Sequence, residues 1–149
     1  MTTTEEVLRA WRADCPALQK IWPEGPVSNW EGLTFGDAPS GDVLLKIHLP
    51  NQGLTSVPAA LCAIQSLCYI NLTDNKLRSV PSELGTVDWL SYLNLERNRL
   101  SRIPHELGEL TWLKTLHLAG NPWQFRNSLP VEWRWDGELR QNGGCDFRR

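Results

Sequence analysis

The stretch LSYLNLERNRLSRIPHELGEL, residues 90–110, decides the fold of this chain of 149 residues. Its first residues alternate between leucine and polar side chains, which predicts a short strand with one buried face. Asn98 stands where the chain would turn out of that strand. The pair Ile103-Pro104 predicts an irregular return, because proline donates no backbone hydrogen bond and disfavours helix in the residue before it.

The same pattern recurs every 23 residues. Four units begin at Leu44, Leu67, Leu90 and Leu113. One such unit has too little apolar surface to fold alone, whereas stacked units bury a continuous core and align their strands. The repeat therefore predicts a solenoid with a parallel sheet on one side and loops or short helical turns on the other.

An amide side chain follows the predicted strand in each unit, at Gln52, Asn75, Asn98 and Asn121. An asparagine can donate to and accept from backbone groups that the turn leaves unpaired. We therefore predict a structural role for Asn75, Asn98 and Asn121. Replacing one of them with alanine should cost about 1–3 kcal/mol of stability.

Residues 44 to about 123 resemble the leucine-rich-repeat family, in the 23-residue type common among intracellular scaffolds. Gln52 is the one departure at the asparagine position. The resemblance implies an α/β fold: a short solenoid with its parallel sheet on the concave face, short helical turns or loops on the convex face, and a cap at each end. The predicted division is an N-terminal cap at 1–43, four repeats at 44–123 starting at residues 44, 67, 90 and 113, and a C-terminal cap and tail at 124–149.

The N-terminal flank has residues suited to closing a solenoid. The start TTTEE and the helical spacing of Val7, Leu8 and Trp11 predict a short amphipathic helix. Residues 22–35 read as irregular, with two tryptophans available to seal the end. The sequence WEGLTF followed by GDVLLKIHL resembles the N-terminal cap of plant-type leucine-rich-repeat receptors, without the paired cysteines of that cap.

The C-terminal flank begins with NPW at residues 121–123, which resembles the opening of the C-terminal cap in many extracellular members. The cysteines of that cap are also missing. We expect a cap without disulfides and a flexible tail from residue 142. Its packing residues are predicted to be Phe125, Leu129, Trp133 and Trp135.

The outward side chains of the sheet follow from strand alternation and give the candidate binding surface. Tyr69 and Tyr92 should lie about 5 Å apart on neighbouring strands, as a rigid amphipathic patch typical of protein interfaces. The alternative is that they merely cover their own sheet. Trp89 and Trp112 should stack as a second edge, unless the C-terminal cap covers them. The predicted partner-binding residues are Lys46, His48, Tyr69, Asn71, Trp89, Tyr92, Asn94, Glu96, Arg97, Trp112, Thr115 and His117.

Catalytic and metal chemistry find no support in the sequence. His48 and His117 should be three strands, or about 14 Å, apart, which is too far to share a metal ion. The four cysteines follow no paired spacing, so reduced thiols are expected and zinc is not. No phosphate loop or nucleophile motif is present. We predict no enzyme, no catalytic residue, no metal and no cofactor.

Charge and hydropathy narrow the partners and the location. Fifteen basic and seventeen acidic residues, with no basic run, argue against nucleic acid as a partner. Residues 1–10 lack the basic start and apolar centre of a secretory signal, and no apolar run is long enough to span a membrane. These features predict a cytoplasmic protein with no membrane partner.

The sequence thus predicts an interaction module or signalling scaffold that binds another protein or peptide through its concave sheet. A monomer is expected, although pairing through the tryptophans or the concave face is compatible with the pattern. The alternative is the ligand-recognition domain of a larger receptor or signalling enzyme, and the plant-type N-terminal cap motivates it.

Overall fold

The computed structural model of the chain describes residues 2–39, 41 and 43–122, and the backbone of residues 145–146. A single six-stranded sheet joins the repeats to their flanks. The helices and strands are α1 (Thr4–Asp14), α2 (Pro16–Ile21), β1 (Leu33–Gly36), β2 (Val43–His48), β3 (Tyr69–Asn71), β4 (Tyr92–Asn94), β5 (Thr115–His117) and β6 (Cys145–Asp146).

The predicted N-terminal helix is confirmed as α1. Thr3 caps it: the Thr3 hydroxyl accepts from the Glu6 amide, and the Glu6 carboxylate accepts from the Thr3 amide. Val7, Leu8 and Trp11 are buried, as their helical spacing predicts. The second helix, α2, has no equivalent in the sequence prediction.

Three tryptophans close the N-terminal end of the core. Trp22 stacks on Trp30 with ring centroids 4.7 Å apart, and Trp11 meets Trp22 edge to face at 5.7 Å. The indole N–H of Trp22 donates to the Glu31 carbonyl at 2.8 Å, and that of Trp30 donates to the Pro23 carbonyl at 3.0 Å. The cap is thus held by aromatic packing and by the indole hydrogen bonds of Trp22 and Trp30, whereas the buried Trp11 Nε1 has no hydrogen-bond partner among the described residues.

The four repeat strands pair in parallel, in steps of one repeat. Lys46 pairs with Tyr69, Tyr69 with Tyr92, and Tyr92 with Thr115. This register confirms the predicted parallel sheet and the leucine-rich-repeat solenoid. Its core is a column of fully buried leucines that includes Leu44, Leu67 and Leu90.

Both edges of the sheet are antiparallel, which the sequence did not predict. The stretch at 22–35, expected to be irregular, ends in β1, which pairs with β2 through a bulge between Thr34 and Phe35. At the opposite edge β6 pairs with β5. Strands from the flanks thereby cover the unpaired backbone groups of the terminal repeats. The predicted packing residues of the C-terminal cap and the expected tail at 142–144 lie outside the described residues.

The convex side carries short helical turns, as expected. A 3-10 helix follows each of Pro58, Pro81 and Pro104, at Ala59–Ala63, Ser82–Thr86 and His105–Glu109. Each helix turns one leucine into the core: Leu61, Leu84 and Leu107 are 1–3% exposed. Proline fits directly before these helices because it has no backbone N–H and none is needed at that position.

The asparagines at the strand exits form a hydrogen-bonded ladder between neighbouring coils. The Asn75 side-chain oxygen accepts from the amides of Gln52 and Leu54, at 3.1 and 2.9 Å. Its amide nitrogen donates to the carbonyls of Leu49 and Leu72, at 2.8 and 2.9 Å. Asn98 and Asn121 make equivalent bonds one and two repeats later. Each asparagine thus bridges its own coil to the one before it.

Candidate functional site

The candidate site is the sheet face, by which we mean the outward side of strands β2–β5. Strand pairing places Lys46, Tyr69, Tyr92 and Thr115 in one column across it. A second column contains His48, Asn71, Asn94 and His117. The parallel register therefore brings together eight of the twelve residues predicted from the sequence. Glu96 and Arg97 join them at the ends of the strands, through contacts with His117 and with each other, and Trp89 and Trp112 lie elsewhere.

An aromatic row runs across the sheet face and consists of His48, Tyr69, Tyr92 and His117. The two tyrosine rings are nearly parallel, with centroids 4.3 Å apart and planes inclined by 6°. The His48 ring lies 6.3 Å from that of Tyr69, and the His117 ring lies 5.6 Å from that of Tyr92. Four rings from four strands thus form one continuous surface.

The environment of Tyr92 favours the neutral form of its phenol. Partial burial is the largest cause that raises the pKa of Tyr92 above its ordinary value. The Asn94 amide donates to the Tyr92 hydroxyl oxygen at 3.4 Å. The Lys46 ammonium lies 5.8 Å from the centre of the Tyr69 ring, within the range of a cation–π contact. The row therefore combines apolar ring faces with polar groups at its borders.

Asn71 and Asn94 are less available than strand alternation suggests, since each is only 8% exposed. Their side-chain oxygens accept from the backbone amides of Thr73 and Glu96, at 3.0 and 2.9 Å. This bond to the amide two residues on is a common way for asparagine to set a turn. In the free protein these residues shape the strand exits beneath the aromatic row.

A charged cluster borders the row at the carboxyl ends of the strands. The Arg97 guanidinium donates twice to the Asp74 carboxylate, at 2.6 and 2.7 Å. This hydrogen-bonded pairing lowers the pKa of Asp74 and raises that of Arg97 from their ordinary values. Glu96 lies 3.9 Å from Arg97 and 3.7 Å from His117. The cluster carries one net negative charge, opposite in sign to Lys46.

The backbone at this border was missed by sequence reasoning. Asn51, Asp74 and Arg97 have φ values of 55°, 55° and 49°, in the left-handed region. These residues hold one position in successive repeats, and Gly120, with φ of 70°, holds the next. Because glycine adopts the left-handed region readily, Gly120 was the feature of the sequence that could have indicated this turn. The turn directs Asp74 and Arg97 along the rim, where they pair.

Trp89 and Trp112 form a separate aromatic surface. Their side chains are 60% and 52% exposed, and their rings stack with centroids 5.6 Å apart. Each precedes the leucine that leads into a strand, so the pair lies at the amino ends of the strands. Trp133 and Trp135, the residues expected to cover it in the alternative interpretation, lie outside the described residues.

The remaining reactive residues do not assemble into a site among the described residues. Cys15, Cys62 and Cys68 are free thiols, and burial raises the pKa of Cys62 to about 11. His105 is exposed on the convex side, beside Glu106. The described part of the chain contains no group of three or more His, Cys, Asp or Glu residues that could hold a metal ion. None of its helices has the length and apolar character needed to cross a bilayer.

Comparison with known proteins supports the repeat assignment. The model of the family described as Leucine Rich Repeat matches residues 89–110. No curated protein sequence matches the chain. The BIR2 ectodomain from Arabidopsis thaliana superimposes with a TM-score of 0.66 at 25% identity, over 77% of this chain and 66% of that one. The leucine-rich-repeat ectodomain of the receptor kinase SOBIR1 from the same plant gives 0.62 at 20% identity, over 81% and 70%.

A chain from the BIR3–SERK2 complex of Arabidopsis thaliana also matches, with a TM-score of 0.58 at 24% identity, over 66% of this chain and 54% of that one. The chain thus spans 66% of the BIR2 ectodomain and 54% of the matched chain of the BIR3–SERK2 complex. Its repeat register, its core and these likenesses show that the chain has the leucine-rich-repeat fold.

The cytoplasmic location expected from the sequence is wrong. The solved structures that the chain resembles include ectodomains of plant receptors, which points to an extracellular location. The expectation depended on the charge and hydropathy of residues 1–10 and on the apolar runs of the sequence. The tryptophan cluster closes the N-terminal cap without a disulfide.

Proposed function

We propose that this chain binds another protein or a peptide through the sheet face, with the Tyr69–Tyr92 stack at the centre of the contact. The solenoid architecture supports this, because repeat proteins use their extended sheet surfaces for binding. The observation that carries the proposal is the stack itself, whose rings are parallel and 4.3 Å apart. In the proposed division of the chain this surface belongs to the repeats at 44–123, between caps at 1–43 and 124–149.

The stack has the physical properties of a binding anchor. Tyrosine offers a large apolar face and a polar hydroxyl, and it loses little rotamer entropy when a partner covers it. Each ring already restricts its neighbour, so the ordering cost on binding is reduced further. A partner would contact the ring edges that the stack leaves exposed and hydrogen-bond to the hydroxyls in the same step.

The residues around the stack supply specificity. His48 and His117 extend the aromatic row on either side, and Thr115 continues the column beside Tyr92. Lys46 at one end and the cluster of Glu96 and Arg97 at the other place opposite charges across the face. Charges at a rim steer encounter and fix orientation more than they add affinity. The proposed partner therefore lies across the strands in one direction.

A second candidate is a ligand-recognition domain within a larger receptor. It is favoured by the likeness to the BIR2 ectodomain, only 66% of which this chain spans. The two candidates share the sheet face and differ in what is attached to the module. Sequencing the full reading frame decides between them: a membrane-spanning segment with a signalling domain beyond it supports the receptor, and a stop codon after residue 149 removes it.

The proposal is tested by affinity capture from the extracellular protein fraction of the source organism. The wild type is compared with a Tyr69→Ala, Tyr92→Ala variant and with a Trp89→Ala, Trp112→Ala variant of unchanged melting temperature. The proposal predicts that the tyrosine variant loses one specific partner and that the tryptophan variant still captures it. Retention of every partner by the tyrosine variant contradicts it.

A further inference from the structure

The two flanks of the solenoid carry opposite charge. Each coil leaves the carboxyl end of its strand along one flank, crosses the convex 3-10 helix, and returns along the other flank to the next strand. We call 76–80 and 99–103 the exit flank, and 86–89 and 109–112 the return flank. Because the strands are parallel, their two kinds of end lie at opposite edges of the sheet, so the two flanks lie on opposite sides of the molecule.

The exit flank is basic. Lys76 and Arg99 hold the same position in consecutive coils, and their amides bond to the preceding coil, each at 2.8 Å. Buried Leu77 and Leu100 follow them, so the basic side chains point to solvent. Residues 75–81 and 98–104 contain no acid. Within the described part of the chain, no carboxylate pairs with the exposed residues of this flank, which include Lys76, Arg78, Arg99 and Arg102.

The return flank is acidic and aromatic. Trp89 and Trp112 are its most exposed apolar side chains, and the same flank contains two exposed acids, Asp88 directly before Trp89 and Glu109 three residues before Trp112. Residues 82–89 and 105–112, which include the convex helices, contain four acids and no lysine or arginine. The nearest basic residue in sequence, the exposed Lys114, lies two residues after Trp112 and immediately before β5. The stacked indoles therefore lie between the acidic residues of the convex helices and the strands.

We propose that the basic exit flank of one molecule docks on the tryptophan-bearing return flank of a second copy. The two flanks match in chemistry, because an arginine guanidinium packs on an indole face and pairs with a nearby carboxylate at the same time. They also match in spacing, because both rows repeat once per coil, about 4.8 Å apart along the solenoid. A second copy of the chain thus presents the complementary side chains at the same spacing, one set per coil.

The geometry of this contact fixes the kind of assembly. The surfaces that meet are different, so each added molecule leaves one free exit flank and one free return flank. Association is therefore side by side and open-ended, and the sheet face remains accessible along the row. The contact is independent of partner binding at Tyr69 and Tyr92.

The test is sedimentation velocity of the full chain at low salt, over concentrations up to about 1 mM. The average mass should rise continuously with concentration. Raising the salt from about 50 to about 500 mM should weaken association at least tenfold, since exposed charges are then screened. An Arg99→Glu, Arg102→Glu variant and a Trp89→Ala, Trp112→Ala variant should each stay monomeric. Lys20→Glu, an exposed change of the same sign in α2, should associate as the wild type does.

Mixing the two monomeric variants gives the decisive result. The arginine variant keeps its return flank and the tryptophan variant keeps its exit flank, so one native contact can still form between them. The mixture should form a one-to-one heterodimer that grows no further. A monomeric wild type, or a mixture that stays monomeric, overturns the inference. The Tyr69→Ala, Tyr92→Ala variant should associate normally, which separates this inference from the proposed partner binding.

Discussion

The ring of Tyr69 lies flat against the ring of Tyr92, with centroids 4.3 Å apart and planes 6° apart. The two residues hold one position in consecutive repeats and are Cα partners on adjacent parallel strands. The register of the backbone therefore aligns the rings before any partner is present. A surface ordered in this way needs little rearrangement on binding, which is the basis of the functional proposal.

The asparagine ladder should contribute strongly to stability. We expect Asn75→Ala to lower the free energy of unfolding by about 3 kcal/mol, because it leaves buried amides and carbonyls in two coils without hydrogen-bond partners. Gln52→Ala is the matched control: the Gln52 side chain bonds only to the nearby Pro50 carbonyl, at 2.9 Å, so its loss should cost about 0.5 kcal/mol. Urea denaturation measures both. Equal losses for the two variants would show that the ladder does not hold the coils together.

The N-terminal cap depends on a close approach at Gly32. This residue has φ of 81°, and a Cβ atom there would overlap the carbonyl oxygen of His48 and the side chain of Leu49. Gly53 has a similar φ of 72° with nothing nearby, so Gly53→Ala tests the backbone strain alone. We expect a loss of about 1 kcal/mol for Gly53→Ala and more than about 3 kcal/mol for Gly32→Ala. If thermal unfolding shows similar losses of stability for the two variants, the close approach at Gly32 does not contribute to the stability of the cap.

Cys62 should be the least reactive of the three described cysteines. Burial, and then the negative charge of Glu83, raise its pKa from 9.0 to about 11. At pH 8 its thiolate population is therefore about 100-fold below that of an ordinary thiol, and alkylation slows by at least that factor. Mass spectrometry of iodoacetamide-treated protein should show Cys15 and Cys68 modified before Cys62. The Cys62 thiol loses its proton at a lower pH in the unfolded state than in the folded state. The free energy of unfolding should therefore fall as the pH rises from 9.0 towards 11.

The Asp74–Arg97 pair makes a prediction about acid titration. Hydrogen bonding to Arg97 lowers the pKa of Asp74 below 3.8. The pair therefore stabilises the fold above that pH, and its contribution disappears as the pH falls through the lowered pKa. In an NMR titration, Arg97→Gln should return the Asp74 pKa towards 3.8, whereas Arg102→Gln should leave it unchanged. An Asp74 pKa that is insensitive to Arg97 would mean that the pair does not persist in solution.

The sequence predicts the repeats and fails at the sheet edges for a physical reason. Strands β2–β5 follow from a period of 23 residues, because each repeat meets a copy of itself. Strands β1 and β6 pair with the first and last repeat strands through non-repeating segments. No period marks such pairings, so Leu33–Gly36 reads as irregular until its partner strand is known.

The same limit applies to the candidate site. Alternation predicts that Tyr69 and Tyr92 face outward side by side, and their stacking agrees with that register. Alternation also turns Asn71 and Asn94 outward, but it does not reveal the backbone bonds that leave each 8% exposed. Charge segregation between the flanks escapes a search for basic runs, because Lys76 and Arg99 become neighbours only when the coils stack.

The most direct test of the central claim is site-specific photo-crosslinking with the extracellular fraction. A photoreactive residue replaces Thr115, which lies beside Tyr92 on the sheet face, or Ser82, which is exposed on the convex side. The account predicts one specific adduct from position 115 and none from position 82. Excess wild-type protein should compete the adduct away, and the Tyr69→Ala, Tyr92→Ala variant should not. The same adduct from position 82, or equal competition by the tyrosine variant, would contradict binding at the sheet face.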